Sequence, residues 1–160
     1  MIGKAMEPSY LANEDVLLEF VAAFENLTLP KEQWTHTAHV TVAGFYLCRH
    51  SLPESIDRLR DNIKKFNLSV GGQNTESSGY HETLTVFWAH LIHSELSKAS
   101  GRNIDRIRHV ARTLGSNSRL FRSYYGFDVV ASREARARWM PPDLLSLDTT
   151  VDADTFLQSH

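Results

Sequence analysis

Residues 80–98, YHETLTVFWAHLIHSELSK, carry the clearest helical pattern in the sequence. At about 100° per residue, its large apolar side chains fall on one broad arc of a helical wheel, and most of its polar side chains fall opposite. The arc consists of Tyr80, Leu84, Phe87, Trp88, Leu91, Ile92 and Leu96. Gly101, a residue type common at helix ends, follows shortly afterwards. We therefore predict a long amphipathic helix over about residues 80–98.

The same periodicity predicts four further long helices on either side of this stretch. Each has a capping or first-turn residue of the expected type: Asn13 for the first helix, Pro30 for the second, Ser51 for the third and Asn103 for the last. Their expected ranges are 13–26, 30–50, 51–68 and 103–114. Two short helices are expected between residues 118 and 140, the second capped by Ser132, and residues 127–131 form a weak strand candidate.

The expected fold class is all-α. We predict a single-domain bundle of about five main helices plus short C-terminal helices, spanning residues 13–147. An N-terminal arm of residues 1–12 would precede it, and a C-terminal tail of residues 148–160 would follow. A chain of this length can bury a substantial core without disulfides.

Composition narrows the range of functions. The formal net charge is −2, which gives no electrostatic reason to expect binding to nucleic acid. No segment approaches the roughly 18 consecutive apolar residues that span a bilayer, so no membrane partner is expected. Cys48 is the single cysteine, and no secretory leader is recognisable. The sequence therefore predicts a cytoplasmic protein.

Eight histidines in 160 residues suggest a metal site, and the helical wheel reduces the candidates to three. His36 and His39 fall inside the apolar arc of the second helix, and His81 falls near the middle of the arc of the fourth. The other histidines on helices, His90, His93 and His109, fall on polar faces and are expected to be exposed.

Three inward histidines can be explained in two ways. Residues at i and i+3 on a helix are neighbours, so His36 and His39 could reach one ion, and His81 could complete the site. Imidazole together with Glu82 or water would suit zinc or non-haem iron. The alternative is that these histidines form hydrogen bonds within the core and bind no metal.

Other polar residues lie beside the predicted inward faces. Arg60 could orient an anionic substrate group, or it could form a salt bridge with Glu82, Glu76 or Asp61. Glu82 could act as a general base, or it could pair with the positive end of its helix dipole. The glycine- and serine-containing loop at residues 69–79 is a candidate lid. The residues expected to contact substrate are Asn67, Asn74, Tyr80 and Thr85.

Three segments resemble a family of small, uncharacterised bacterial helical proteins. They are WTHTAH at residues 34–39, NT at 74–75 with GYHET at 79–83, and WMPPDL at 139–144. The resemblance spans about residues 20–147 and implies a helical fold without naming a reaction. A second resemblance is to histidine–aspartate phosphohydrolases, which are all-helical metal enzymes. It places His81-Glu82 at their His-Asp pair and implies Asp105 or Asp128 as a distant carboxylate.

Three functional hypotheses follow from these residues. The first is a metal-dependent enzyme that acts on a small molecule, which could be an anion. Zinc or iron would be bound by His36, His39 and His81. Glu82 and Arg60 would be the catalytic groups. The second is a metal-free protein that binds a small ligand. The third is a structural helical protein whose histidines are core residues with satisfied hydrogen bonds.

Overall fold

A computed structural model describes residues 7–147, in which helices are joined by turns and loops and no strand occurs. This confirms the all-α prediction. The helices are α1 (Glu14–Glu25), α2 (His36–Arg49), α3 (Leu52–Ser69), α4 (Glu82–Lys98), α5 (Asn103–Leu114) and α6 (Arg133–Ala137). Short 3₁₀ turns occur at Ser9–Leu11, Lys31–Gln33 and Leu120–Ser123. The predicted C-terminal tail, 148–160, lies outside the described residues.

The helix starts follow local capping chemistry. The side chains of Asn13, Ser51 and Ser132 each accept a hydrogen bond from a backbone N–H in the first turn, as Asn and Ser commonly do at this position. Proline also occupies the first turn of α3. The beginnings of α1, α3 and α6 were therefore readable from the sequence.

The predicted start of the second long helix at Pro30 is wrong. Pro30 precedes the 3₁₀ turn Lys31–Gln33, and α2 begins at His36, where Thr35 Oγ1 accepts from the N–H of Ala38 at 3.2 Å. The weak strand candidate at residues 127–131 is also absent, because this segment forms a turn. Similarly, α4 begins at Glu82 rather than Tyr80.

Helix α2 lies at the centre of the bundle and packs against α3, α4 and α5. Small and apolar residues occupy most of its circumference, so it has no wide polar face to expose. Its buried residues include Val40, Val42, Ala43 and Tyr46. Helix α3 packs against α4 as well as α2, so these three helices surround a common space.

The C-terminal part of the described chain crosses the start of α4. Thr83, fully buried, donates from Oγ1 to the carbonyl of Arg138 at 2.7 Å and accepts from the N–H of Met140 at 3.0 Å. Arg136 donates to the carbonyl of Gly79 at 2.8 Å. Residues separated by more than 50 positions therefore lie together at this end of the bundle. No helix of the described range is long and apolar enough to cross a membrane.

Candidate functional site

The residues selected from the sequence lie around two separate spaces. One is a cavity of about 120 Å³ between α2, α3 and α4, which we call the histidine cavity. The other is an open cleft of about 590 Å³ bordered by α3, the 69–79 loop and α6, which we call the polar cleft. His36, His39 and Thr85 line the first, while Arg60, Asn74, Tyr80 and Glu82 line the second.

The histidine cavity has mainly apolar walls. Its polar side chains come from α2 and α4, and α3 contributes two branched apolar residues. The full lining is His36, His39, Val40, Ala43, Leu59, Ile63, Thr85, Trp88, Ala89 and Ile92. A mostly apolar space with a few polar groups is typical of small-molecule sites.

His39 is the unsatisfied group in this cavity. Its ring stacks on the indole of Trp34 with centroids 4.0 Å apart, and it forms no hydrogen bond with another residue in the range 7–147. The indole Nε1 of Trp34 is buried and has no hydrogen-bond partner there. Burial, with a smaller contribution from nearby His36, lowers the pKa of His39 to about 3. The ring is therefore neutral near pH 7 and offers one donor and one acceptor.

His36 has fewer ring nitrogens free to bond a ligand than His39 has. Its Nε2 lies 3.1 Å from the carbonyl oxygen of Leu114, and its ring meets Trp88 edge to face with centroids 4.6 Å apart. Burial lowers the pKa of His36 as well. A neutral ring that donates from Nε2 satisfies the Leu114 carbonyl and leaves Nδ1 as an acceptor.

The structure does not bring His81 together with the other two histidines. His81 is the N-cap of α4: its Nδ1 accepts from the N–H of Leu84 at 3.2 Å, and its Nε2 donates to the carbonyl of Val129 at 2.8 Å. Both ring nitrogens are occupied, so His81 cannot ligate an ion without losing a bond. Within residues 7–147, no group of three or more His, Cys, Asp or Glu side chains is placed to hold a metal ion. The predicted three-histidine arrangement is not formed.

The expectation for the remaining helical histidines holds only in part. His93 is exposed, whereas His90 is partly buried and stacks on Trp139 with centroids 5.8 Å apart. His109 is also partly buried, and its Nε2 lies 3.2 Å from a carboxylate oxygen of Glu95. Neighbouring segments cover these two faces, which a single helical wheel does not include.

Three side chains form a hydrogen-bonded network on the polar cleft. Arg60 donates from Nε to Glu82 Oε1 at 2.9 Å and from Nη2 to Oε2 at 2.7 Å, while Tyr80 donates its hydroxyl to Oε1 at 2.6 Å. Arg60 also donates from Nη1 to Asp57 at 2.7 Å. Of the two roles considered for Arg60, the structure therefore shows the salt bridge to Glu82.

This network makes Glu82 a weak candidate for a general base. Hydrogen bonds from Arg60 lower the pKa of Glu82, and both of its carboxylate oxygens already accept bonds. Burial raises the pKa of the Tyr80 hydroxyl, so the phenol stays protonated. The network consists of an ionised carboxylate that accepts three hydrogen bonds from two residues, and its role here is to fix the side chains that border the cleft.

Asn67 and Asn74 hold the 69–79 loop. Asn74 Oδ1 accepts from Asn67 Nδ2 at 3.0 Å and from the N–H of Tyr80 at 3.1 Å, while Asn74 Nδ2 donates to the carbonyl of Lys64 at 2.9 Å. The loop closes through Gly79 at φ 80°, where an added Cβ would lie 2.0 Å from the carbonyl oxygen of Gln73. The two asparagines that were expected to bind substrate therefore form hydrogen bonds that hold the loop in place. The expectation that the loop is a lid stays a prediction.

Sequence reasoning overlooked two cations on the cleft. Lys64 lies one helical turn after Arg60 on α3, so its position could have been found from i, i+4 spacing. Arg136 comes from α6, and nothing in the local sequence indicates that it meets residues 60–82.

Comparison with known protein families, with curated proteins and with solved structures finds no match to this chain. The resemblances drawn from the motifs therefore stay predictions. The carboxylates that the second resemblance would require have other contacts: Asp105 pairs with Arg102 and Arg108, and Asp128 accepts from the N–H of Ala131.

Proposed function

We propose that the chain binds a small uncharged molecule in the histidine cavity, with neutral His39 as the group that recognises it. The observation that carries this proposal is the unsatisfied imidazole of His39, which lines the cavity while its ring is held against Trp34. A ligand group that bonds to a ring nitrogen of His39 adds a hydrogen bond, which contributes about 0.5–1.5 kcal/mol net.

The cavity limits the class of ligand. A cavity of about 150 Å³ accommodates benzene, so the 120 Å³ observed here suits a ring of about five atoms. The walls from Leu59, Ile63 and Trp88 favour a flat apolar body. The low pKa of His39 favours a neutral ligand with an N–H or O–H group over an anion that would need a protonated imidazole. A neutral azole has this combination of shape and hydrogen-bonding groups.

A metal-dependent function would require a different use of the same two histidines. His36 and His39 are three residues apart on α2 and line one cavity, which would give zinc or ferrous iron two imidazole ligands. Further ligands would have to come from water or substrate. Binding of zinc or ferrous iron is therefore a competing outcome of the test.

The test compares pyrazole with thiophene, two five-membered rings that differ in hydrogen-bonding groups. Binding is followed by ¹H–¹⁵N NMR of the histidine rings and by thermal unfolding. We expect pyrazole to shift the His39 resonances and to bind more tightly than thiophene. At tenfold excess over Kd, mass action adds about 1.4 kcal/mol of stability, which raises Tm by about 3–6 °C for a domain of this size.

Two variants and a matched control make the result specific. His39→Leu should remove the preference for pyrazole, and Ala43→Val, which fills part of the cavity, should weaken both ligands. His93→Leu alters an exposed histidine and should leave binding unchanged. Failure of both rings to bind, or equal pyrazole binding by His39→Leu, would overturn the proposal. So would a stoichiometric zinc or ferrous ion that shifts His36 and His39 together.

A further inference from the structure

The polar cleft carries positive charge that carboxylates within residues 7–147 do not neutralise. Glu82 is paired with Arg60, and Glu76 lies 3.5 Å from Arg133. Lys64 and Arg136 also line the cleft, and neither forms a salt bridge with a carboxylate in the described range. Two cations that line the cleft thus remain without a carboxylate partner in the described range.

Arg136 is held in place by backbone carbonyls. Its Nη1 donates to Gly79 at 2.8 Å and to Tyr80 at 3.4 Å, and its Nη2 donates to Val130 at 3.3 Å. These acceptors orient the guanidinium without neutralising its charge. A fixed guanidinium with N–H groups left over is well suited to bind an oxyanion.

Lys64 also lines this cleft. Its ammonium is 5.1 Å from the centroid of the Tyr80 ring, and its charge contributes to the lowered pKa of Glu82. The phenol of Tyr80 is fixed in turn by its 2.6 Å hydrogen bond to Glu82. The network described above therefore provides one wall against which the lysine side chain packs.

We infer that the polar cleft binds the phosphate group of a small phosphorylated molecule, with Lys64 and Arg136 as its charged contacts. A phosphate monoester carries about −1.5 to −2 charges at pH 7, which matches two uncompensated cations better than a single carboxylate does. Because Arg60 already holds Glu82, that carboxylate adds little repulsion. The cleft of about 590 Å³ leaves room for an organic group beside the phosphate. This site is independent of the histidine cavity.

The experiment measures phenyl phosphate and phenyl sulfate binding by isothermal titration calorimetry at pH 7.5. The two molecules have similar shapes, but the sulfate is a monoanion. We expect saturable binding of one phenyl phosphate, weaker binding of phenyl sulfate, and a loss of affinity as salt is raised. Since a hydrogen bond to a charged group contributes about 1.5–3 kcal/mol, Lys64→Gln and Arg136→Gln should each weaken binding about tenfold or more.

Lys65→Gln is the matched control. It removes the same charge from the next residue of α3, which is exposed and does not line the cleft, and it should change Kd less than about twofold. Lys64 is itself exposed, so its variant should fold even if Arg136→Gln does not. Equal affinities for Lys64→Gln and Lys65→Gln would overturn the inference, as would equal affinities for phosphate and sulfate esters. His39→Leu should bind phenyl phosphate like the wild type, which separates this test from the previous one.

Discussion

The imidazole Nε2 of His81 donates to the carbonyl oxygen of Val129 at 2.8 Å, across 48 positions of the chain. The same ring accepts from the backbone N–H of Leu84 through Nδ1 at 3.2 Å. One side chain thus caps α4 and ties its start to the segment that follows α5. Burial lowers the pKa of His81, which keeps the ring in the neutral form that both bonds require.

Substitution of His81 should therefore destabilise the fold without removing a ligand. His81→Ala loses a helix cap, which costs about 1 kcal/mol, and leaves the Val129 carbonyl without a partner, which costs about 1–3 kcal/mol. His81→Asn should restore the cap and recover about 1 kcal/mol. Urea denaturation measures both changes, with His93→Ala as a nearly neutral control. Wild-type stability in His81→Ala would contradict the structural role.

Thr83 gives a second test of the same junction. Its buried hydroxyl donates to Arg138 and accepts from Met140, so Thr83→Val leaves two backbone groups unsatisfied at almost constant shape. We expect a loss of about 2–4 kcal/mol in the free energy of unfolding. Thr83→Ser keeps the hydroxyl and should retain most of the wild-type free energy of unfolding. Thr113→Val is the control, because Thr113 is exposed and bonds only within its own helix. Equal effects at positions 83 and 113 would argue against a fixed junction.

The salt bridge between Arg60 and Glu82 should give the fold an acid-sensitive contribution. The pKa of Glu82 lies below its ordinary value of 4.5, so the unfolded chain takes up this proton at a higher pH than the folded chain does. The contribution is complete above pH 4.5 and is lost as pH falls through the lower folded pKa. Glu82→Gln should be less stable at pH 7 and should approach the wild type near pH 3. A double-mutant cycle with Arg60→Gln should give a coupling of about 1 kcal/mol at pH 7.

Burial of His39 should also make the fold less stable in acid, and this loss should begin at a higher pH than the loss due to Glu82. Its pKa is about 3 in the folded state against an ordinary value of 6.5, so between these values the unfolded chain binds a proton that the folded chain excludes. Stability then falls as pH drops below 6.5, with a limiting slope of about 1.4 kcal/mol per pH unit. His39→Leu removes this titrating group, so the unfolded variant binds one proton fewer than the unfolded wild type in this pH range. Relative to wild type, it should gain about 2 kcal/mol between pH 7 and pH 5 in urea denaturation, and an unchanged difference would contradict the burial of a neutral ring.

Much of the fold could be predicted because the helices begin at residues with specific side-chain chemistry. Asn13, Ser51 and Ser132 cap the helices that they were expected to cap. Pro30 misled because a proline fits the entry to a 3₁₀ turn as well as the first turn of an α-helix, whereas the cap of α2 is Thr35. The choice between these two entries depends on packing that a local pattern does not contain.

The candidate site was predicted less well, because a helical wheel gives the direction of a side chain and not its neighbour. On α3, Leu59 and Ile63 face the histidine cavity, while Arg60 and Lys64, one position later in the chain, face the polar cleft. Residues combined into one predicted site are therefore divided between two spaces. The prediction that His81 is buried was correct. Its backbone is extended rather than helical, so the direction of its side chain could not be taken from the helical wheel.

The two spaces also differ in how much of the chain must be synthesised before they exist. Every residue that lines the histidine cavity lies between positions 36 and 92, whereas the polar cleft requires Arg136 from α6. Translation adds roughly 5–20 residues per second and domains can begin to fold from their N-terminal side. A ribosome-bound chain that has emerged as far as α5 therefore holds all the groups of the cavity but only part of the cleft. A stop codon after residue 115 would remove Arg136 from the cleft, and it would also remove the carbonyls of Val129 and Arg138 that accept from His81 and Thr83.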